Sequence, residues 1–191
     1  DALFAAVENW AKSKGMNALH GPMGFTDMDQ EGMLIEGFDQ LATIATIYNF
    51  PYYPTHLGRL GYVKDQDWHE FKIYIPEKNP EKHERISEIV KTKFGLKVLK
   101  FTRTKDLMPY VQQIFETLNK AYAPLYGFVP LTQKQIDYYV KMYIPMLRLD
   151  LVTLILREAD NAVVGFGITL PSMSEAMKKA KGSLFPFGFI H

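Results

Sequence analysis

The sequence predicts an α/β (α+β) chain in which helices flank a mixed, mainly antiparallel central sheet. Three observations point there. Apolar residues recur at helical spacing in several stretches, as in Leu3, Phe4, Val7, Trp10 and Ala11. Trp68–Ile75 instead alternates, with Phe71, Ile73 and Ile75 opposite Glu70, Lys72 and Tyr74, the period of a half-buried strand. Gly, Pro and Asn punctuate the chain between these stretches, so that the first part reads helix, strand, helix, strand and the second strand, helix, helix, strand, strand. At 191 residues and 47% hydrophobic content, there is enough apolar material for a real core.

Taken in order, Asp1 suits an N-cap for the first helix, Lys12 and Lys14 suit its negative end, and Gly15 stops it. Asn17–Met23 reads as a short strand cut by Gly21-Pro22, and Gly24–Gly37 as a polar, acidic loop. Leu41–Tyr48 is apolar and β-branched, equally a strand or a buried helix. Pro51 or Pro54 can start a short helix, since a missing N–H does no harm in a first turn, and Gly61 ends it. Pro76–Pro80 is a boundary. Beyond it a helix carries Ile86, Ile89, Val90 and Phe94 inward and stops at Gly95. A strand follows over Leu96–Thr102. Leu107, Val111, Ile114, Phe115, Leu118 and Tyr122 then form an amphipathic stripe. Thr132 and Gln135 make a capping box for a helix bearing Ile136, Tyr139, Val140, Tyr143 and Ile144. Leu151–Arg157 and Ala162–Leu170 are strands around a turn at Ala159-Asp160-Asn161. Ser172 or Ser174 can cap a last short helix ending before Gly182, and the tail from Ser183 to His191 is apolar and aromatic, as if cut.

Composition excludes several functions. The 22 basic and 21 acidic residues balance, so no field for a polyanion arises and no nucleic-acid partner is expected. No run approaches the ~18 apolar residues of a membrane span, so no membrane partner is expected either. The chain has no cysteine, which removes disulfides, thiolate metal sites and cysteine nucleophiles. That fits a reducing compartment, and a cytoplasmic location is expected.

Asn49–Tyr62 (NFPYYPTHLGRLGY) carries the most information: an Asn opens it, a Pro-started helix follows, and Gly61-Tyr62 closes it before Trp68–Ile75. With the helix and strand upstream, Asp1–Ile75 resembles the C-terminal half of a domain of the Gcn5-related N-acyltransferase (acyl-CoA N-acyltransferase) superfamily. Leu96–Leu170, with its VVGFGI strand at Val163–Ile168, resembles the opening half of the same fold. Gly21–Asp39 and Leu170–Gly188 are similar to tandem bacterial members. The resemblance implies residues 1–76 as the back half of one domain, 77–95 as a linker helix, and 96–191 as the front half of a second.

It further implies acyl transfer from acetyl-CoA or another acyl-CoA to a small-molecule amine. The enzyme positions the amine against the thioester, and an acid protonates the departing thiolate. The superfamily's Gln/Arg-x-x-Gly-x-Gly/Ala turn, which binds the coenzyme A pyrophosphate, would fall just before Asp1 and again beyond His191. Neither copy is in this chain. Asn49 matches the Asn that faces the pantetheine arm. The usual acid, a Tyr, falls at Leu57, which has no proton to donate. Tyr53, one turn earlier, and the adjacent His56 are the candidate substitutes. Tyr126 and Tyr139 are candidates for an acceptor pocket, although Tyr139 and Tyr143 suit the core as well. The alternative is a non-catalytic module that binds a small molecule or a partner and retains the fold, which Leu57 favours. A half-domain completing its sheet on another chain, as in a homodimer, is a third reading.

Other motifs carry less. Asp27-x-Asp29-x-Glu31-Gly32 imitates the start of a calcium loop, but Phe38 stands where a bidentate Glu is required. His69-Glu70 lacks the second His of a metalloprotease helix, and His20, His56, His83 and His191 have no metal-ligand spacing. No metal is expected. Leu170-Pro171 and Pro186-Phe187-Gly188 are turns that could also shape a cleft.

Overall fold

The computed structural model describes residues 1–26, 28–183 and 185. The expected tail turn at Pro186-Phe187-Gly188, and Asp27 of the acidic loop, lie outside them. In chain order the helices are α1 (Ala2–Ser13), α2 (Tyr52–Arg59), α3 (Glu81–Phe94), α4 (Thr104–Leu107), α5 (Val111–Tyr122), α6 (Gln133–Tyr143) and α7 (Ser174–Lys179). The strands are β1 (Leu96–Lys100), β2 (Val152–Arg157) and β3 (Val163–Ile168). The α+β architecture is the one expected. The chain forms two bodies, one of Asp1–Phe71 with the residues from Ser172 on, the other of Lys72–Pro171. Pro76–Pro80 lies just past that division, and α3 belongs with the second body.

In the second body β2 is central, antiparallel to β1 on one side and β3 on the other. The β2–β3 turn closes at Asn161, whose φ of 55° is a left-handed conformation that Asn tolerates, while Asp160 accepts the Ala162 N–H. A bulge at Ile155/Leu156 shifts the β3 register. One face of the sheet is buried. Val152, Leu154 and Leu156 alternate inward along β2 and meet Leu107, Val111 and Ile114 of the predicted stripe, with Phe101 and Val163 completing the core. Leu131, Ile136 and Tyr139 form a smaller cluster under α6. The Thr132–Gln135 capping box is complete, and Gly95 ends α3 at φ 57°.

The stripe on α3 is a correction. Ile86, Ile89, Val90 and Phe94, read as inward, are 38–57% exposed. Their period makes a helix but does not supply a surface to cover it; the sheet's buried face is already occupied by α5.

The first body is held differently. In α1 the inward line is Phe4, Glu8 and Ala11, whereas Leu3, Val7 and Trp10 lie exposed on the neighbouring line. The α1 C-terminus is a Schellman motif: Met16 N–H donates to Ala11 O, Gly15 N–H to Lys12 O, and Gly15 has φ 74°. Asn17–Met23, Leu41–Tyr48 and Trp68–Ile75 form no strand among the described residues. The last of these stretches runs past the division into the second body; its Phe71, Ile73 and Ile75 alternate as expected yet stay 78–87% exposed, because a strand needs a ladder partner to satisfy its backbone and cover one face. Polar clasps fix these irregular segments instead. Asp29 Oδ2 accepts the N–H groups of Phe25 (2.9 Å) and Thr26 (3.0 Å), and the Thr46 hydroxyl lies 2.7 and 2.9 Å from the two Glu70 carboxylate oxygens. Among the described residues no helix is long and apolar enough to cross a membrane.

Candidate functional site

The site is built on α2. Pro51, with φ −60°, precedes its first turn, where the lost N–H is harmless. Its last turn closes as a full Schellman motif: Tyr62 N–H donates to Leu57 O (3.1 Å), Gly61 N–H to Gly58 O (3.1 Å), and Gly61 takes φ 91°. That turn aims Tyr62 back at α1. Its ring lies 5.4 Å from that of Phe4, and its hydroxyl donates to Glu8 at 2.8 Å. The Glu8 carboxylate pushes the Tyr62 phenol above its ordinary range. The Gly-aromatic signature therefore docks α2 on α1.

Between the helices and the loops lies a cavity of about 490 Å³. Phe4, Pro22, Met33, Ile47 and Leu57 make most of its wall apolar. Tyr52, Tyr53 and His56 bring polar groups to it, and Asn49 lines it as well. Tyr53 and His56 are three apart on α2, hence on one face. The Tyr53 ring stacks on Tyr52 at 4.5 Å, and the neighbouring Tyr53 side chain pushes the Tyr52 phenol upward. His56 Nε2 lies 3.2 Å from Asp1 Oδ1. Asp1 is the N-cap of α1, yet its side chain makes no cap bond to its own helix. It reaches instead to a residue far along the chain, a pairing that nothing in local sequence signals.

Asn49 is held on both ends of its carboxamide. Its Oδ1 accepts the Leu34 N–H at 2.7 Å, and its Nδ2 donates to Leu34 O and Phe50 O, each at 3.1 Å. The residue thus pins the Leu34 loop against the entry of α2. Leu57 stands in the cavity wall and gives it an apolar side chain. Tyr126 and Tyr139 lie in the second body, Tyr126 exposed and Tyr139 in the small cluster with Leu131 and Ile136. The chain therefore gathers Asn49, Tyr53 and His56 at one cavity, and Tyr126 and Tyr139 are in the other body. Chemically, the cavity offers a phenol and an imidazole with a carboxylate behind it, a set able to move protons. Among the described residues no three His, Cys, Asp or Glu side chains converge to hold a metal.

The chain is similar over nearly its full length to two curated proteins. A protein named YghO from Escherichia coli (strain K12) is 29% identical over 191 residues, covering 98% of this chain and 47% of that protein. A protein named bacterial ceramide synthase from Caulobacter vibrioides (strain NA1000 / CB15N) is 29% identical over 192 residues, covering 99% and 48%. The chain thus spans about half the length of these relatives. No known protein-family profile matches it. No solved structure matches it either.

Proposed function

We propose that the protein forms an amide by transferring an acyl group from acyl-CoA to the nitrogen of an amine, in the manner of the acyl-CoA N-acyltransferases. The observation that carries this reading is the near-full-length similarity to the protein named bacterial ceramide synthase. A ceramide is defined by an amide bond between a fatty acyl group and an amino alcohol, so its synthesis is N-acylation. The cavity on α2 supports the same chemistry, because acyl transfer needs one group to take a proton from nitrogen and another to give one to sulfur.

In the proposed reaction the amine nitrogen attacks the thioester carbonyl, the C–N bond forms and the C–S bond breaks. His56, backed by Asp1, would accept the proton leaving nitrogen, and the Tyr53 hydroxyl would protonate the departing thiolate. Return of the proton from His56 to Tyr53, one helical turn apart, restores both groups. Apolar walls would keep bulk water from competing for the acyl group.

The test uses the full-length protein with acyl-CoA and a long-chain amino alcohol. Free thiol is followed by colour and the amide by mass spectrometry. Thiol and amide are expected in equal amounts, with Tyr53→Phe and His56→Ala each slowing turnover by roughly 10²–10⁴-fold. Unchanged turnover in both variants would remove these residues from the mechanism. Amine binding with no thiol release would favour the non-catalytic binding module, the reading for which Leu57 in the cavity wall speaks.

A further inference from the structure

A row of exposed aromatic rings leads out of this cavity. Tyr48 meets Phe50 edge-on at 6.1 Å, Phe50 stacks on Tyr52 at 6.3 Å with planes 12° apart, and Tyr52 stacks on Tyr53 at 4.5 Å. Every ring in the row is exposed. The last two line the cavity, so the strip and the apolar interior form one continuous surface. Large aromatic groups kept in ordered succession on the outside, rather than folded into a core, are a place for something apolar to lie. The opposite character sits beside the same cavity: the Asp1 carboxylate, well exposed, faces His56 and places negative charge at one corner.

We infer that this surface is a binding strip for an amphiphile with an ammonium head and a hydrocarbon tail. The head lies at Asp1 and His56, and the tail runs through the cavity and out along Tyr53, Tyr52, Phe50 and Tyr48. The inference rests on the proposed acyl transfer only in taking this cavity as the amine site; it adds which residues select the amine and by what property. Asp1 attracts the ammonium and leaves the tail untouched. The rings read chain length, each additional methylene covering more of the strip until Tyr48 is reached. Fully burying a methylene strengthens binding about fourfold. A strip covers one side of the chain, so about twofold per methylene is expected.

The experiment is calorimetric titration of the full-length protein with n-alkylamines from octyl to tetradecyl and the matching n-alkanols, all below their aggregation concentrations. In the wild type the amines are expected to bind more tightly than the alcohols, with the twofold gain per methylene. Phe50→Ser with Tyr52→Ser should flatten that gain while leaving the preference for amine. Asp1→Asn, which keeps a good N-cap residue, should abolish the preference and leave the gain. Phe25→Ser, at a 90% exposed loop position away from the cavity wall, should change neither. A chain-length gain unaltered by the Phe50/Tyr52 change, or amine binding no tighter than alcohol, would overturn the inference. The acyl-transfer reading fails separately: chain-length-dependent binding without amide formation sinks that reading and keeps the strip, and amide formation indifferent to chain length does the reverse.

Discussion

In Lys72–Pro171, Leu154 is at 0% exposure and Leu107 at 1%, packed between a sheet and a helix. In Asp1–Phe71 the buried apolar side chains among the described residues come down to Ala11, and the chain is pinned by polar clasps at Asp29, Asn49 and Thr46. The two bodies therefore draw on different forces. A packed core gains from every methylene removed from water, whereas an accessible hydrogen bond exchanges one partner for another and nets about 0.5–1.5 kcal/mol. The body with the weaker interior carries the cavity, the row of exposed aromatic rings and the Asp1–His56 pair. The packed interior and the open cavity thus belong to different bodies, and around the cavity apolar groups that a core would otherwise have consumed stay exposed.

Leu154→Ala is the change with the largest expected effect, lowering the unfolding free energy of the second body by about 2–5 kcal/mol in urea titration. Phe71→Ala, at an exposed position of the first body, should stay within about 0.5 kcal/mol of wild type. Equal costs would break the comparison, since they would mean that Phe71 is covered in solution.

Asn49→Ala comes next. It strips the Leu34 N–H and carbonyl of their partners and should cost about 0.5–1.5 kcal/mol, read as faster hydrogen exchange at the Leu34 amide. A silent substitution would show that the clasps do not hold the first body. Gly61→Ala and Gly95→Ala sharpen the contrast from another side. Both glycines have positive φ, and a Cβ at either would meet no atom within 4 Å. The penalty is then purely backbone, about 1 kcal/mol in each body, measured by thermal unfolding. Unequal costs would locate a packing contribution in one of them.

The smallest effects are electrostatic. Arg157, hydrogen-bonded to Asp160, holds that carboxyl below its ordinary value of 3.8. Its contribution is present above the unfolded value and lost as pH falls through the folded one, so Asp160→Asn should flatten the acid limb of the second body's melting curve. Tyr62 is the mirror case. Its raised phenol contributes below the ordinary value of 10.0 and loses that contribution as pH rises through the folded value, so Tyr62→Phe should flatten the alkaline limb of the first body. The Arg157–Asp160 pair is solvent-exposed and the Tyr62–Glu8 pair partly buried, and an unchanged pH profile in either variant would assign that pair no role in stability.

How much was legible varies with distance along the chain. The stops at Gly15, Gly61 and Gly95, the Thr132–Gln135 box and the Asp160-Asn161 turn were readable because each is decided within about six residues. The α5 stripe and the β2 strand were readable, and in the fold the stripe meets the buried face of that strand. The identical kind of pattern misled on α3 and on Trp68–Ile75. Asn49, Tyr53 and His56 could be named as a group from one short segment, but the Asp1–His56 pair and the Asn49–Leu34 clasp could not, since their partners come from distant chain.

The sequence by itself determined where helices begin and end, where the hairpin turns, and which face of each element is apolar, because dihedral preference and local bonding belong to a few adjacent residues. Only the tertiary structure decided which apolar faces are buried and which polar groups meet. Burial requires a second surface delivered from elsewhere in the chain. In this protein that surface arrives for α5 and β2, and among the described residues it leaves the Tyr48–Tyr53 rings open beside the cavity.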